Sequence, residues 1–286
     1  MKQKTKHLIE LNFASFLLSI NPIFAKLISL PAHLIIFWRS FFAMLVLGGF
    51  IFLSKQSIRL AAKKEYLYVL LCGLLLAAHW VTFFLSIKVA TVAIGMIAIF
   101  TFPIMTVLIE PYFFKHKLKP VDLIMAGLVL LGVVFIVPEF SFNNTMTQGI
   151  FYGLLSALLY SFRNVFVKKT LSNYSGSVLM FYQVFVAFLV LSPFLLEGGF
   201  VFQGYDFYYL IVVGVIFTAL AHSLFVRSLS NFKAKTASII TSIQPVYSIL
   251  LAFFILSEVP EFRTVAGGLI ILFAVLYESF KGMKNA

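Results

Sequence analysis

Few polar residues fall inside the apolar stretches of this chain, and those are the ones whose chemistry has to be asked about. His79-Trp80 lies near the middle of one apolar run and His222 holds a comparable place in a later one. An imidazole takes up or releases a proton near neutral pH and hydrogen-bonds a carboxylate or an amine. An indole stacks on aromatic or cationic ligands. Each residue either faces a cavity or is satisfied within a packed core. Asn21 and Arg163-Asn164 occupy corresponding places in two further runs, with Tyr160 one turn before Asn164. Arg163 either neutralises an anionic solute through a bidentate contact or snorkels to the nearer end of its run. Tyr182-Gln183 is a weaker pair of the same kind. Pro103 and Pro245 each remove a backbone donor. With Thr101 and Gln244 beside them, they mark either kinks that face a cavity or ordinary helix kinks. Lys26, Arg39 and Lys88 fall toward run ends, where a structural role is expected; Arg39 is the more buried in the pattern and is expected to bond to a neighbouring helix.

The carboxylates are placed differently. Glu10, Glu110 and Glu278 lie near the ends of runs, and no Asp or Glu sits in the middle of one. Proton coupling would then fall to His79, to His222 or, through water, to Glu110, while facilitated diffusion or exchange is equally compatible. The single cysteine, Cys72, excludes an intramolecular disulfide and a cysteine-based metal cluster. Neither a Gly-x-x-x-x-Gly-Lys phosphate loop nor a His-Glu-x-x-His pair occurs. No enzyme activity, metal or cofactor is therefore expected.

The elements that would hold these residues are membrane helices. Of 286 residues, 62% are hydrophobic and 11% charged, with a mean hydropathy of +1.03. A soluble domain could not cover so apolar a sequence with polar surface. Runs of about 20 apolar residues, enough to cross a bilayer, recur at 8–29, 34–54, 66–87, 91–113, 120–138, 148–168, 176–196, 207–228, 234–256 and 262–280. The expected fold is an all-α integral membrane protein of about ten transmembrane helices. No long hydrophilic stretch leaves room for a separate soluble domain.

The net charge of +12 is explained by short basic loops rather than by nucleic-acid binding. Lysines 2, 4, 6, 55, 63, 64, 115, 117, 119, 168, 169, 233, 235, 281 and 284, with Arg59, fall in alternate loops. The intervening loops carry Glu139, Glu197, Asp206, Glu258 and Glu261. The positive-inside rule then places both termini in the cytoplasm.

The second half echoes the first at an offset of about 141–144 residues. Phe24-Ala-Lys26 matches Phe166-Val-Lys168, and the run from Phe37 to Leu47 matches that from Phe181 to Leu191. Pro103 matches Pro245, and Ile124-Met-Ala-Gly-Leu128 matches Val265-Ala-Gly-Gly-Leu269. The repeats are drawn at 1–140 and 145–283. Five spans per repeat is an odd number, so the two halves must be inverted, as in many alternating-access carriers that bind solute near the midplane. Gly149-x-x-x-Gly153-x-x-x-Ala157 lines one helix face with small residues, which favours close packing within the chain over a dimer contact. A monomer or weak homodimer is expected.

The order of these features resembles the drug/metabolite transporter superfamily, in its EamA-like branch. The resemblance is carried by Phe37-Trp-Arg39, by Ser86 to Ala93 leading into Pro103, by Ala237 to Pro245 followed by Glu258, and by Gly267-Gly268. Lys117 stands in the first half where Glu258 stands in the second, so no role for that glutamate transfers to the first repeat. The resemblance implies a multi-pass protein of the cell (inner) membrane that carries small organic solutes such as amino acids, their derivatives, nucleosides, vitamins or drugs. The scarcity of charge within spans favours neutral, zwitterionic or amphipathic solutes. Direction of transport is not readable from these residues.

Overall fold

A computed structural model describes residues 2–115, 117–171, 173–198, 200–229 and 241–281, with backbone alone for 2–8, 226–229, 279 and 281. Lys233, Lys235, Lys284 and the start of the expected 234–256 run lie outside them. Among the described residues the chain is helical throughout, without a strand. Six helices are long and apolar enough to cross a membrane, and Pro120–Ile136 and Gln244–Leu256 are shorter apolar helices.

The helices run in order as α1 (Lys2–Ile20), a 3-10 turn (Asn21–Ile23) leading into the single turn α2 (Phe24–Leu27), α3 (Ala32–Leu53) and α4 (Lys63–Val89). There follow α5 (Val92–Ile99), α6 (Phe102–Phe114), α7 (Pro120–Ile136), α8 (Thr145–Thr170) and α9 (Gly176–Leu191). Then come α10 (Asp206–Val212), a π-helical stretch (Val213–Leu220), α11 (Ala221–Leu229), α12 (Gln244–Leu256) and α13 (Phe262–Lys281). Their starts are written in polar residues. The Asn144 side chain accepts from the amides of Met146 and Thr147 ahead of α8, Thr91 caps α5, and Ser175 caps α9. Each satisfies a first-turn donor that hydrocarbon could not.

The α4 helix packs against α8 and α9, α7 against α13, and α1 against α11 and α12. Small residues permit the closest approaches. A Cβ on Gly149 would stand 2.3 Å from the Cβ of Ala90, and one on Gly153 would stand 2.4 Å from that of Ala98. The small-residue face of α8 is thus buried inside the chain. Hydroxyls cross between helices as well. Ser86 donates to the carbonyl of Gly149 at 2.6 Å, and Ser248 donates to that of Ser19 at 2.7 Å.

Pro103 and Pro245 stand just after short interruptions. Two turn residues, 100–101 and 242–243, break the regular helical bonding, and each proline sits in the first turn of the 13-residue helix that follows. There the missing N–H is one that has no intrahelical partner anyway. The two helices match closely: each ends on a left-handed residue, Lys115 (φ 57) and Ser257 (φ 57), 142 positions apart.

Candidate functional site

A cavity of about 150 Å³ opens where these breaks meet α1, α4, α8 and α11. Asn21, His79, Trp80, Tyr160, His222 and Gln244 line it, joined by Pro22, Phe83, Phe100, Phe102, Phe225 and Thr241. Six residues singled out from the sequence therefore meet around one space.

Their polar atoms are held from behind. Ser156 donates its hydroxyl proton to the carbonyl of His79 at 2.8 Å, so the same oxygen accepts from His79 Nδ1 at 2.7 Å. This bond fixes the Nδ1–H tautomer and leaves Nε2 as the ring's open acceptor. His222 Nδ1 donates to the carbonyl of Thr218 at 3.1 Å. The His79 ring stacks on Tyr160, with centroids 4.6 Å apart, and Tyr160 meets Phe102 edge-on at 4.9 Å. Trp80 and His222 meet edge-on at 6.1 Å. Asn21 is 8% exposed and its Oδ1 is buried without a partner, a costly state that a solute donor would relieve.

Other expected residues lie behind the wall or away from it. Arg163 donates Nε to Gln183 at 2.7 Å and Nη1 to Asn164 at 2.9 Å. These three therefore form their own cluster, with Gln183 fully buried. Thr101 is also fully buried, its hydroxyl donating to the carbonyl of Ala98. Tyr182 donates to the carbonyl of Ile58 at the end of the bundle. Glu110 is ion-paired with Lys168 at 2.6 Å, outside the cavity lining.

Arg39, expected to be buried and to bond to a neighbouring helix, does so through a partner that the sequence did not mark. Its side chain is wholly buried, its guanidinium stacking over Trp80 at 4.2 Å and over Phe84 at 5.3 Å. Nε and Nη2 donate to Thr218 Oγ1 at 3.1 and 2.9 Å, and Nη1 has no partner. Thr218 sits in the π-helical stretch and donates to the carbonyl of Val213 at 2.8 Å. A hydroxyl at position 218 was the available signal, but nothing in the residue order marks a π-helix.

The two ends of the bundle carry different contacts. At one end Lys26 donates to the carbonyl of Ala90 at 2.6 Å and pairs with Glu258 at 3.7 Å, while Lys88 donates to the carbonyl of Ile28 at 2.8 Å. Glu258 also accepts from the amide of Val92 at 2.8 Å. Asp206 accepts from the amide and the hydroxyl of Ser29. At the other end, the Tyr174 hydroxyl donates to Glu65 at 2.5 Å, and the neighbouring carboxylate raises the pKa of that phenol. A second hollow of about 200 Å³, between α5, α12 and α13, has a purely apolar lining and shares only Phe100 with the first. It offers no group to recognise a polar solute.

The profile of the EamA-like transporter family matches this sequence twice, over residues 8–137 and 147–279. An uncharacterized transporter of Bacillus subtilis is 26% identical over 280 residues, covering 96% of this chain and 89% of its own. The pseudopaline exporter of Pseudomonas aeruginosa is 26% identical over 268 residues, with 92% of each chain covered. The S-adenosylmethionine uptake transporter of Rickettsia felis is 23% identical over 268 residues, covering 93% of this chain and 90% of its own. A solved crystal structure superposes on 96% of each chain with a TM-score of 0.67 at 16% identity, a likeness of fold alone.

Proposed function

The chain belongs to the EamA-like transporter family, and on that premise we propose that it is a secondary carrier moving small organic metabolites, such as amino acids or related solutes, by alternating access. The observation that carries this reading is the cavity where Asn21, His79, Trp80, Tyr160, His222 and Gln244 converge. It lies beside two helix breaks, the usual place for solute sites in carriers. The double family match and the paired helices Phe102–Phe114 and Gln244–Leu256 support the two inverted repeats of five spans, 1–140 and 145–283. Loop charge supports both termini in the cytoplasm of a cell whose inner membrane holds the protein. The reading requires no cofactor, metal or nucleic acid.

The test is flux into liposomes. Purified protein is expected to move an amino acid, nucleoside or related solute with saturable kinetics. His79→Ala should lower the rate at least tenfold by freeing the stacked Tyr160 and removing the Ser156 bond, while the protein stays monodisperse. Non-saturating flux that is also unaffected by His79→Ala and Asn164→Ala sinks both the carrier and this site, whereas saturable flux unchanged in His79→Ala sinks the site alone. Repeating the measurement with an imposed pH gradient separates proton-coupled movement through His79, His222 or Glu110 from facilitated exchange.

A further inference from the structure

The charges around the cavity do not balance, and the imbalance has one sign. Arg39 is fully buried behind Trp80, bonded only to a neutral hydroxyl and with Nη1 unpartnered. Arg163, behind Tyr160, is bonded to the neutral side chains of Gln183 and Asn164. Both guanidinium groups lie within electrostatic reach of His79 and of His222. Among the described residues no carboxylate lines the cavity, and the side-chain hydrogen bonds of both arginines go to neutral groups. In a span of low dielectric an uncompensated charge is felt across the whole site.

Two further features act in the same direction. Phe102 and Gln244 begin 13-residue helices and line the cavity, so the positive ends of two helix dipoles meet it. The carbonyls of Met96 and Ala98, at the end of the preceding half-helix, are taken up locally by Phe100 and Thr101. The aromatic wall does not restore balance for a cation, because the guanidinium of Arg39 already occupies one face of the Trp80 ring.

We propose that this cavity selects organic solutes that carry a carboxylate and no net positive charge, with Arg39 and Arg163 supplying the countercharge from behind Trp80 and Tyr160. The inference rests on the carrier reading above and narrows it. Arg39 does not touch the solute; it acts through the potential it sets up. Asn21 Oδ1, buried and unpaired at the wall, accepts from an amine or hydroxyl elsewhere on the same solute, which makes amino-acid-like zwitterions and hydroxy acids the best fit.

The experiment presents proteoliposomes with a defined mixture of amino acids, organic acids, nucleosides and polyamines. Solutes accumulated above protein-free liposomes are then identified by mass. Zwitterions and anions are expected to accumulate, and polyamines to be excluded. Arg39→Gln should lower uptake of the carboxylates by about tenfold, and Arg39→Lys should retain most of it, a rescue that a purely packing role would not give. Arg163→Gln, at a less buried position, gives the same comparison where Arg39→Gln fails to fold. Accumulation of polyamines or nucleosides without carboxylates overturns the inference while leaving the carrier intact. Carboxylate uptake that is indifferent to both arginines overturns it too. Absence of saturable accumulation of any solute removes the carrier reading itself, and the inference with it.

Discussion

Gly153→Leu is expected to leave no folded protein. A Cβ at this position would stand 2.4 Å from the Cβ of Ala98 and 3.1 Å from Ser86 Oγ. Ala98 and Ser86 are fully buried, so neither has free space to move into. Even Gly153→Ala should cost about 1–3 kcal/mol of strain, and the further three carbons of leucine cannot be placed without parting α8 from α4 and α5. Gly127, with nothing within 4 Å of its Cβ position, is the control, and Gly127→Leu should behave as the parent. Size-exclusion profiles and thermal unfolding of the three variants give the result. A monodisperse Gly153→Leu protein with parental stability would show that the interface between these helices is not as drawn.

The second large effect concerns closure. Glu258→Ala removes the ion pair to Lys26 and the acceptor for the Val92 amide. Charge-assisted bonds of this kind contribute about 1.5–3 kcal/mol, so the balance between closed and open forms at that end should shift by roughly 10- to 100-fold. Glu258→Gln keeps an oxygen for Val92 and should fall between. The measurement is the rate at which a membrane-impermeant maleimide labels a cysteine placed at Met96 on the cavity wall, in a background where the buried Cys72 is replaced by serine. Equal labelling rates in parent and Glu258→Ala would mean that these contacts do not hold the end shut.

Much of the bundle was legible because a bilayer imposes a simple demand. A helix that spans hydrocarbon must be long and apolar, so the intervals read from hydropathy are mostly helical where the chain is described, apart from breaks such as 100–101 and 242–243. Polar residues inside such runs are so few that most had to face protein, and six of them line one cavity. The two-residue breaks before Pro103 and Pro245 cannot be told from simple kinks in the sequence, because proline is compatible with both. Only the carbonyl bonding at residues 96–101 distinguishes a new start from a bend. Burial and a bond to a neighbouring helix were legible for Arg39, but distance along a helix says nothing about which residues stand around it. Its burial depends on Trp80, Phe84 and Thr218, which belong to two other parts of the chain. The pairing of Lys26 with Glu258, and of Lys88 with Ile28, was equally hidden, since such contacts join helix ends to loops far apart in the sequence.

The π-helical stretch from Val213 to Leu220 carries a consequence for phase. Each bond that skips one residue further than an α-helical bond lets the chain lag behind the regular count. One extra residue is worth about 100° of rotation. The faces of α10 and α11 therefore belong to different reading frames, although no loop separates them. Counted at 3.6 residues per turn, His222 would stand about 120° round from Leu210, and one residue of lag brings it to within about 20° of that face. Loss of a single residue between 213 and 220 would thus act less as a shortening than as a turn of everything that follows.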